Sequence, residues 1–72
     1  MKIAIAGGAG YTGGELIRLL MNHPEVQISQ VISQSQQGKA LYEAHPDLEG
    51  MTDLRFQQDL SEDYDALFLC LG

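Results

Sequence analysis

Hydrophobic and polar positions change rhythm several times along this chain. Lys2-Ile3-Ala4-Ile5-Ala6 is a short apolar run closed by glycine, which predicts a buried strand. From about Thr12 or Gly13 to Asn22 the period lengthens to that of a helix. Leu16, Leu19 and Leu20 fall at i, i+3 and i+4, and Ile17 widens the stripe. Thr12-Gly13-Gly14-Glu15 has capping-box spacing, in which Thr12 accepts a backbone N–H and Glu15 reaches back. Asn22-His23-Pro24 ends the helix, because proline disfavours helical geometry in the residue before it.

Val26 to Ser33 predicts a second strand, with Ile28, Val31 and Ile32 as its apolar content. The polar stretch Ser33 to Gly38 leaves that strand as a loop. Ala40 to Ala44 predicts a short helical turn, and His45-Pro46-Asp47-Leu48-Glu49-Gly50 a reversal. Leu54-Arg55-Phe56 is a short third strand near an edge. After polar Ser61 to Tyr64, the run Ala66 to Leu71 has no alternation, the mark of a strand covered on both faces.

This order predicts an α/β fold, the first half of a doubly wound, Rossmann-type parallel sheet with strand order 3-2-1-4, truncated after the fourth strand. The return from third to fourth strand has roughly nine residues, which at about 3.3 Å each can cross three strand spacings of about 4.8 Å. In such sheets the ligand crevice lies beyond the carboxyl ends of the strands, where their order reverses. The loop after the fourth strand would form one wall of that crevice, and the chain ends there. Residues 1–72 are therefore expected to be the N-terminal part of an NAD(P)-binding domain, with the substrate and catalytic domain absent from this chain. A complete miniature domain is the opposing reading.

Between the first strand and the helix, residues 7–14 hold five glycines. Gly8-Ala9-Gly10-Tyr11-Thr12-Gly13 matches G-x-G-x-x-G. Glycine permits the tight turn, lets backbone approach a pyrophosphate and allows the helix to pack close on the strand. The helix N-terminus then offers free N–H groups and a partial positive charge to phosphates. Gly8, Gly10, Tyr11, Thr12 and Gly13 are the candidate dinucleotide site, and a merely structural turn is the weaker reading. No Gly-Lys-Ser/Thr follows, which excludes a P-loop.

An NAD site carries Asp or Glu at the end of the second strand to hold the ribose hydroxyls. Here that position falls near Ser33, and no acidic residue stands between Glu25 and Glu43. Ser33, Gln34 and Ser35 offer neutral donors, and Lys39 adds a positive charge. NADP(H) is expected over NAD(H), although no arginine is at hand for a bidentate contact with the 2′-phosphate.

Ten acidic residues against four basic ones give a net charge of −6. That balance argues against nucleic acid or an anionic membrane as partner, since both reward Lys/Arg patches. No apolar stretch approaches the roughly 20 residues of a membrane span. Gly7 and Gly8 interrupt any secretory signal. The single cysteine fits a reducing, cytoplasmic setting.

Gly7-Gly8-Ala9-Gly10-Tyr11-Thr12-Gly13-Gly14-Glu15-Leu16, followed by Leu19-Leu20, His23-Pro24-Glu25, Gly38-Lys39, His45 to Gly50 and Asp65 to Gly72, resembles the N-acetyl-gamma-glutamyl-phosphate reductases. The resemblance covers essentially all 72 residues and the first fifth or so of that family's chain. It implies an NADPH-dependent step of arginine biosynthesis on a small-molecule acyl phosphate. A cysteine thiolate expels phosphate to leave a thioester, and hydride then gives the semialdehyde, with a histidine handling protons. By family position Gly10 to Gly13 hold the pyrophosphate, Ser33 to Ser35 with Lys39 the adenosine end, and Leu71 and Gly72 lie near the nicotinamide.

That family's cysteine and histidine belong to regions after residue 72, so no catalytic residue is assigned within this chain and the 72 residues alone are expected to be inactive. Cys70 sits in an apolar run and reads as a core residue. His23 and His45, each before a proline, read as surface or capping residues. Glu62-Asp63-Asp65 reads as a solvated turn, not a metal site. A related semialdehyde-dehydrogenase-like or saccharopine-type reductase, and a non-enzymatic NADP sensor, remain as alternatives. One helix and a partial helix can cover only one face of a four-stranded sheet. The other face is expected to be bare and to drive association, either as a homo-oligomer or through that uncovered face.

Overall fold

The computed structural model describes residues 1–70; Leu71 and Gly72 lie outside the described residues. Strand β1 (Lys2–Ala6) leads through the glycine loop into helix α1 (Tyr11–Met21), and β2 (Gln27–Ile32) follows. A single helical turn α2 (Leu41–Ala44) and a 3₁₀ turn (Pro46–Leu48) precede the short strands β3 (Phe56–Gln57) and β4 (Ala66–Leu69). The four strands form one parallel sheet in the order β3-β2-β1-β4. The expected α/β topology is therefore observed, with β3 at an edge.

One face of the sheet carries the core. Ile3 and Ile5 of β1, Val31 of β2 and Phe56 of β3 pack with Ile17 of α1, Leu41 of α2 and Leu48 of the 3₁₀ turn. Ile28 joins this cluster although it stands three residues before Val31, a spacing that strict alternation would place on opposite faces. The pairing explains it. Ile3 faces Ile28 but Ala4 faces Gln30, so Ser29 is an extra residue in β2. Its Oγ donates to the Ile3 carbonyl at 3.3 Å. A bulge of this kind resets the phase of the strand.

The opposite face is closed in part by the connection from β3 to β4, which crosses it without a helix. Buried Gln30 pins that segment. Its Oε1 accepts from the Ser61 N–H at 2.9 Å, and its Nε2 donates to the Ser61 carbonyl at 3.1 Å. Further along, Lys2 pairs with Asp63 at 3.0 Å, and the Lys2 N–H donates to Asp65 at 2.7 Å. The acidic turn is thus tied to the start of β1.

Three expectations need correction. Helix α1 starts one residue early, with Gly10 as its N-cap and no side-chain cap. Glu15 binds Arg18 instead of reaching back to Thr12. Its buried face is Gly13, Gly14 and Ile17, while Leu19 is 72% exposed. The leucine stripe centres on the wrong line because two glycines, silent in any hydrophobicity pattern, mark the face that packs. Lastly, β4 is not covered on both faces among the described residues, where Leu67, Phe68 and Leu69 are all exposed. The bare surface is therefore concentrated at β4, because the crossing segment lies on Gln30 of β2.

Arg18 joins α1 to the 3₁₀ turn through a two-pronged contact, with Nε and Nη2 on the two oxygens of Asp47. The hydrogen bond from Arg18 holds the Asp47 carboxyl down at about 2, below its ordinary 3.8. Because the folded value is depressed, the contact contributes fully above about pH 4 and is lost as pH falls through about 2. Both groups are exposed, so the contribution is small. Following the Asp47 carboxyl by NMR titration should show this low midpoint, and Arg18→Met should return it towards 3.8. A midpoint near 3.8 in the unaltered protein would remove the contact.

Candidate functional site

The glycine loop leaves β1 at the point where strand order reverses, between β1 and β4. Two successive N–H groups, of Gly7 and Gly8, donate to one acceptor, the Ile32 carbonyl at the end of β2, at 3.0 and 3.1 Å. The loop is thereby drawn against Ser33. Gly7 has φ +81°, and a Cβ there would lie 2.2 Å from the Cys70 carbonyl oxygen. At Gly8 a Cβ would lie 2.1 Å from Val31 Cγ1. At Gly13 it would lie 2.6 Å from the Gly7 carbonyl oxygen and 2.7 Å from Gly8 Cα. These three glycines are demanded by the fold, which brings α1 down onto the loop backbone.

Gly10 is different. Its backbone is extended at φ −79°, and a Cβ there would meet nothing nearer than the Gly7 carbonyl oxygen at 3.9 Å. The fold has no need of glycine at this position. Beside it, the N–H groups of Tyr11, Thr12 and Gly13 have no acceptor among the described residues, since the helix's first backbone bond is from Gly14 to Gly10. Tyr11 and Thr12 are exposed. The arrangement is an open anion cradle at a helix N-terminus. A cavity of about 330 Å³ adjoins it, bordered by Ala9, Gly10, Tyr11, Ala44 and His45 and by the Glu15–Arg18 pair.

At the other candidate end, Ser33 is buried and its Oγ accepts from the Gln36 N–H at 3.3 Å, shaping the turn. Gln34, Ser35 and Lys39 are exposed around it. Ser35 lies within 3.4 Å of the Ser33 hydroxyl. The glycine loop and the serine turn are thus brought together through Ile32, whereas Leu71 and Gly72 lie outside the described residues.

Two residues were missed. Arg55 reaches this turn from beside β3, where Ala40 and Arg55 form an antiparallel bridge, and its Nη1 donates to the Gly38 carbonyl at 2.9 Å. The arginine absent from the local stretch is supplied across the sheet edge, and only the strand order could have revealed it. His45 is not a surface residue. It is 5% exposed, and its Nε2 lies 2.7 Å from the Gly8 carbonyl oxygen. Its ring fills the space over Gly14, where a Cβ would stand 2.7 Å from Cε1. A second glycine early in a helix, with no capping duty, was the available signal. His23, by contrast, stays exposed, accepting the Glu25 N–H on Nδ1 at 3.2 Å. Cys70 is half-buried against the core.

Residues 2–72 match the family model described as semialdehyde dehydrogenase, NAD binding domain. The chain belongs to that family. This semialdehyde-dehydrogenase domain is an NAD(P)-binding one, consistent with NADP(H). Among relatives, an N-acetyl-gamma-glutamyl-phosphate reductase of Christiangramia forsetii is 51% identical over 72 residues, all of this chain and 22% of its own. A provisionally named LysW-L-2-aminoadipate 6-phosphate reductase of Thermomicrobium roseum is 50% identical over 99% of this chain and 20% of its own. A provisionally named LysW-L-2-aminoadipate/LysW-L-glutamate phosphate reductase of Pyrococcus horikoshii is 51% identical over 99% of this chain and 21% of its own. The chain thus spans about a fifth of the length of the curated relatives it matches. The two kinds of reductase lie equally close. No helix among the described residues is long and apolar enough to cross a membrane.

The geometry sorts the glycines by task. Gly8→Ala and Gly13→Ala should each destabilise the protein by about 1–3 kcal/mol, since the facing atoms are packed side chain or backbone. Gly10→Ala should change stability by less than about 0.5 kcal/mol. Urea unfolding of the three variants tests the division, and an equally damaging Gly10→Ala would abolish it.

Proposed function

We propose that these residues bind NADP(H) for a reductase whose substrate is the phosphate of an acidic amino-acid derivative. Gly10 carries the reading. A fold that tolerates any small side chain there nonetheless has glycine, beside three unclaimed N–H groups, as expected where a diphosphate must touch backbone. Gly10 to Gly13 would hold the diphosphate. Ser33, Gln34, Ser35 and Lys39, with Arg55, would surround the adenosine 2′-phosphate. Leu71 and Gly72 would border the nicotinamide. When bound, the cofactor supplies hydride. The residues here bind and orient it, and the nucleophilic cysteine and proton-handling histidine would stand beyond Gly72.

Reduction to a semialdehyde fits the family, and both kinds of relative are named as phosphate reductases. N-acetyl-gamma-glutamyl phosphate, on the route to arginine, is one substrate. A LysW-linked aminoadipate or glutamate phosphate is a second reading, supported by identities as high as 51% to relatives so named. Association through the exposed Leu67, Phe68 and Leu69 of β4 belongs to the same proposal.

Titration with NADPH and NADH should show tighter binding of NADPH. Gly10→Val should abolish it while the melting temperature is kept. Equal affinity for both would end the NADP(H) preference, and no binding of either would end the cofactor assignment. Turnover of the two acyl phosphates, measured on a chain that extends past Gly72 to the proposed cysteine and histidine, separates the substrates. NADPH binding by that longer chain without turnover of either favours a sensor.

A further inference from the structure

We infer that His45 is a positioning residue for the glycine loop: its ring N–H, bonded to the Gly8 carbonyl, sets the direction in which the loop presents its own N–H groups. The inference rests on the NADP(H) reading above and goes beyond it by adding a side chain from a distant turn.

A carbonyl oxygen only accepts, so His45 Nε2 carries the proton in the 2.7 Å bond. The chain has no cis peptide among its described residues, so the Gly8 carbonyl and the Ala9 N–H point in opposite directions on one rigid plane. Drawing the carbonyl towards the imidazole therefore turns the Ala9 N–H away from it. That N–H has no acceptor among the described residues, and it precedes the three open groups of Tyr11, Thr12 and Gly13. At its start the loop is held by the Ile32 carbonyl, which takes Gly7 and Gly8. His45 supplies the restraint on the next peptide.

The imidazole is itself immobilised. It is enclosed at 5% exposure and meets the Phe56 ring edge-on at a 6.3 Å centroid distance. Its backbone N–H bonds the Leu41 carbonyl at 2.9 Å, which closes α2. An apolar side chain would fill the space over Gly14 as well. It would leave the carbonyl of buried Gly8 without this partner and the peptide free to rotate.

The test measures NADPH affinity and melting temperature together for His45→Phe and His45→Gln. His45→Phe keeps a ring and removes the donor, and should weaken NADPH about tenfold. His45→Gln keeps an N–H donor and should restore most of that loss. Gly14→Ala approaches from the other side, because the new methyl displaces the ring while favouring the helix; it too should weaken NADPH. This third variant carries the test if His45→Phe does not fold. Native affinity in His45→Phe or Gly14→Ala would overturn the inference. So would equal losses in Phe and Gln variants that merely follow their melting temperatures. Absence of NADPH binding by the unaltered protein would instead overturn the cofactor reading, and this inference with it.

Discussion

The close approach of α1 to the end of β1 is the constraint on which the remaining structure depends. It exists because two side chains are missing: Gly8 leaves room for Val31, and Gly13 lets the helix rest on the backbone of Gly7 and Gly8. The N-cap of that helix is Gly10, which has no side chain to cap with, so the first N–H groups stay open. The same approach directs Gly13, Gly14 and Ile17 into the core and places Gly14 against the His45 ring. Steric economy at two positions thus produces both the packing and the chemistry of the loop.

The second face is organised by polar contacts. Gln30 is almost fully buried, yet both ends of its amide are matched by the backbone of the crossing segment. An amide so buried is costly unless paired. The pairing fixes where the β3–β4 connection runs, and Lys2 with Asp63 and Asp65 fixes where it descends to β4. Eight residues without helix can therefore make a crossing that longer connections make with one.

Topology and the glycine loop were legible in the sequence because each has a strong local sign: apolar runs, a turn-breaking glycine cluster and an amphipathic period. The edge position of β3 followed from its brevity. What was not legible depends on contacts distant along the chain. His45 and Arg55 acquire their places only when the 33–57 segment folds back beside the glycine loop and β2. Thr12 and Glu15 show the converse, a correct capping spacing set two residues past the true N-cap, where Glu15 meets Arg18 instead. The bulge at Ser29 is equally hidden, since nothing in Gln27 to Ile32 announces an extra residue.

The strand order has a consequence for synthesis on the ribosome. Every partner needed by the glycine loop apart from the Cys70 neighbourhood lies before residue 58: Ile32, Val31, His45 and Phe56 all precede β4 in the chain. The three-stranded unit β3-β2-β1 can therefore assemble as soon as Gln57 has emerged, with one side of β1 unpaired. That open side is where β4 pairs in parallel. It is reserved, during elongation, for whichever strand arrives next, and in this chain Ala66 to Leu69 is delivered to it by the segment already tethered through Gln30.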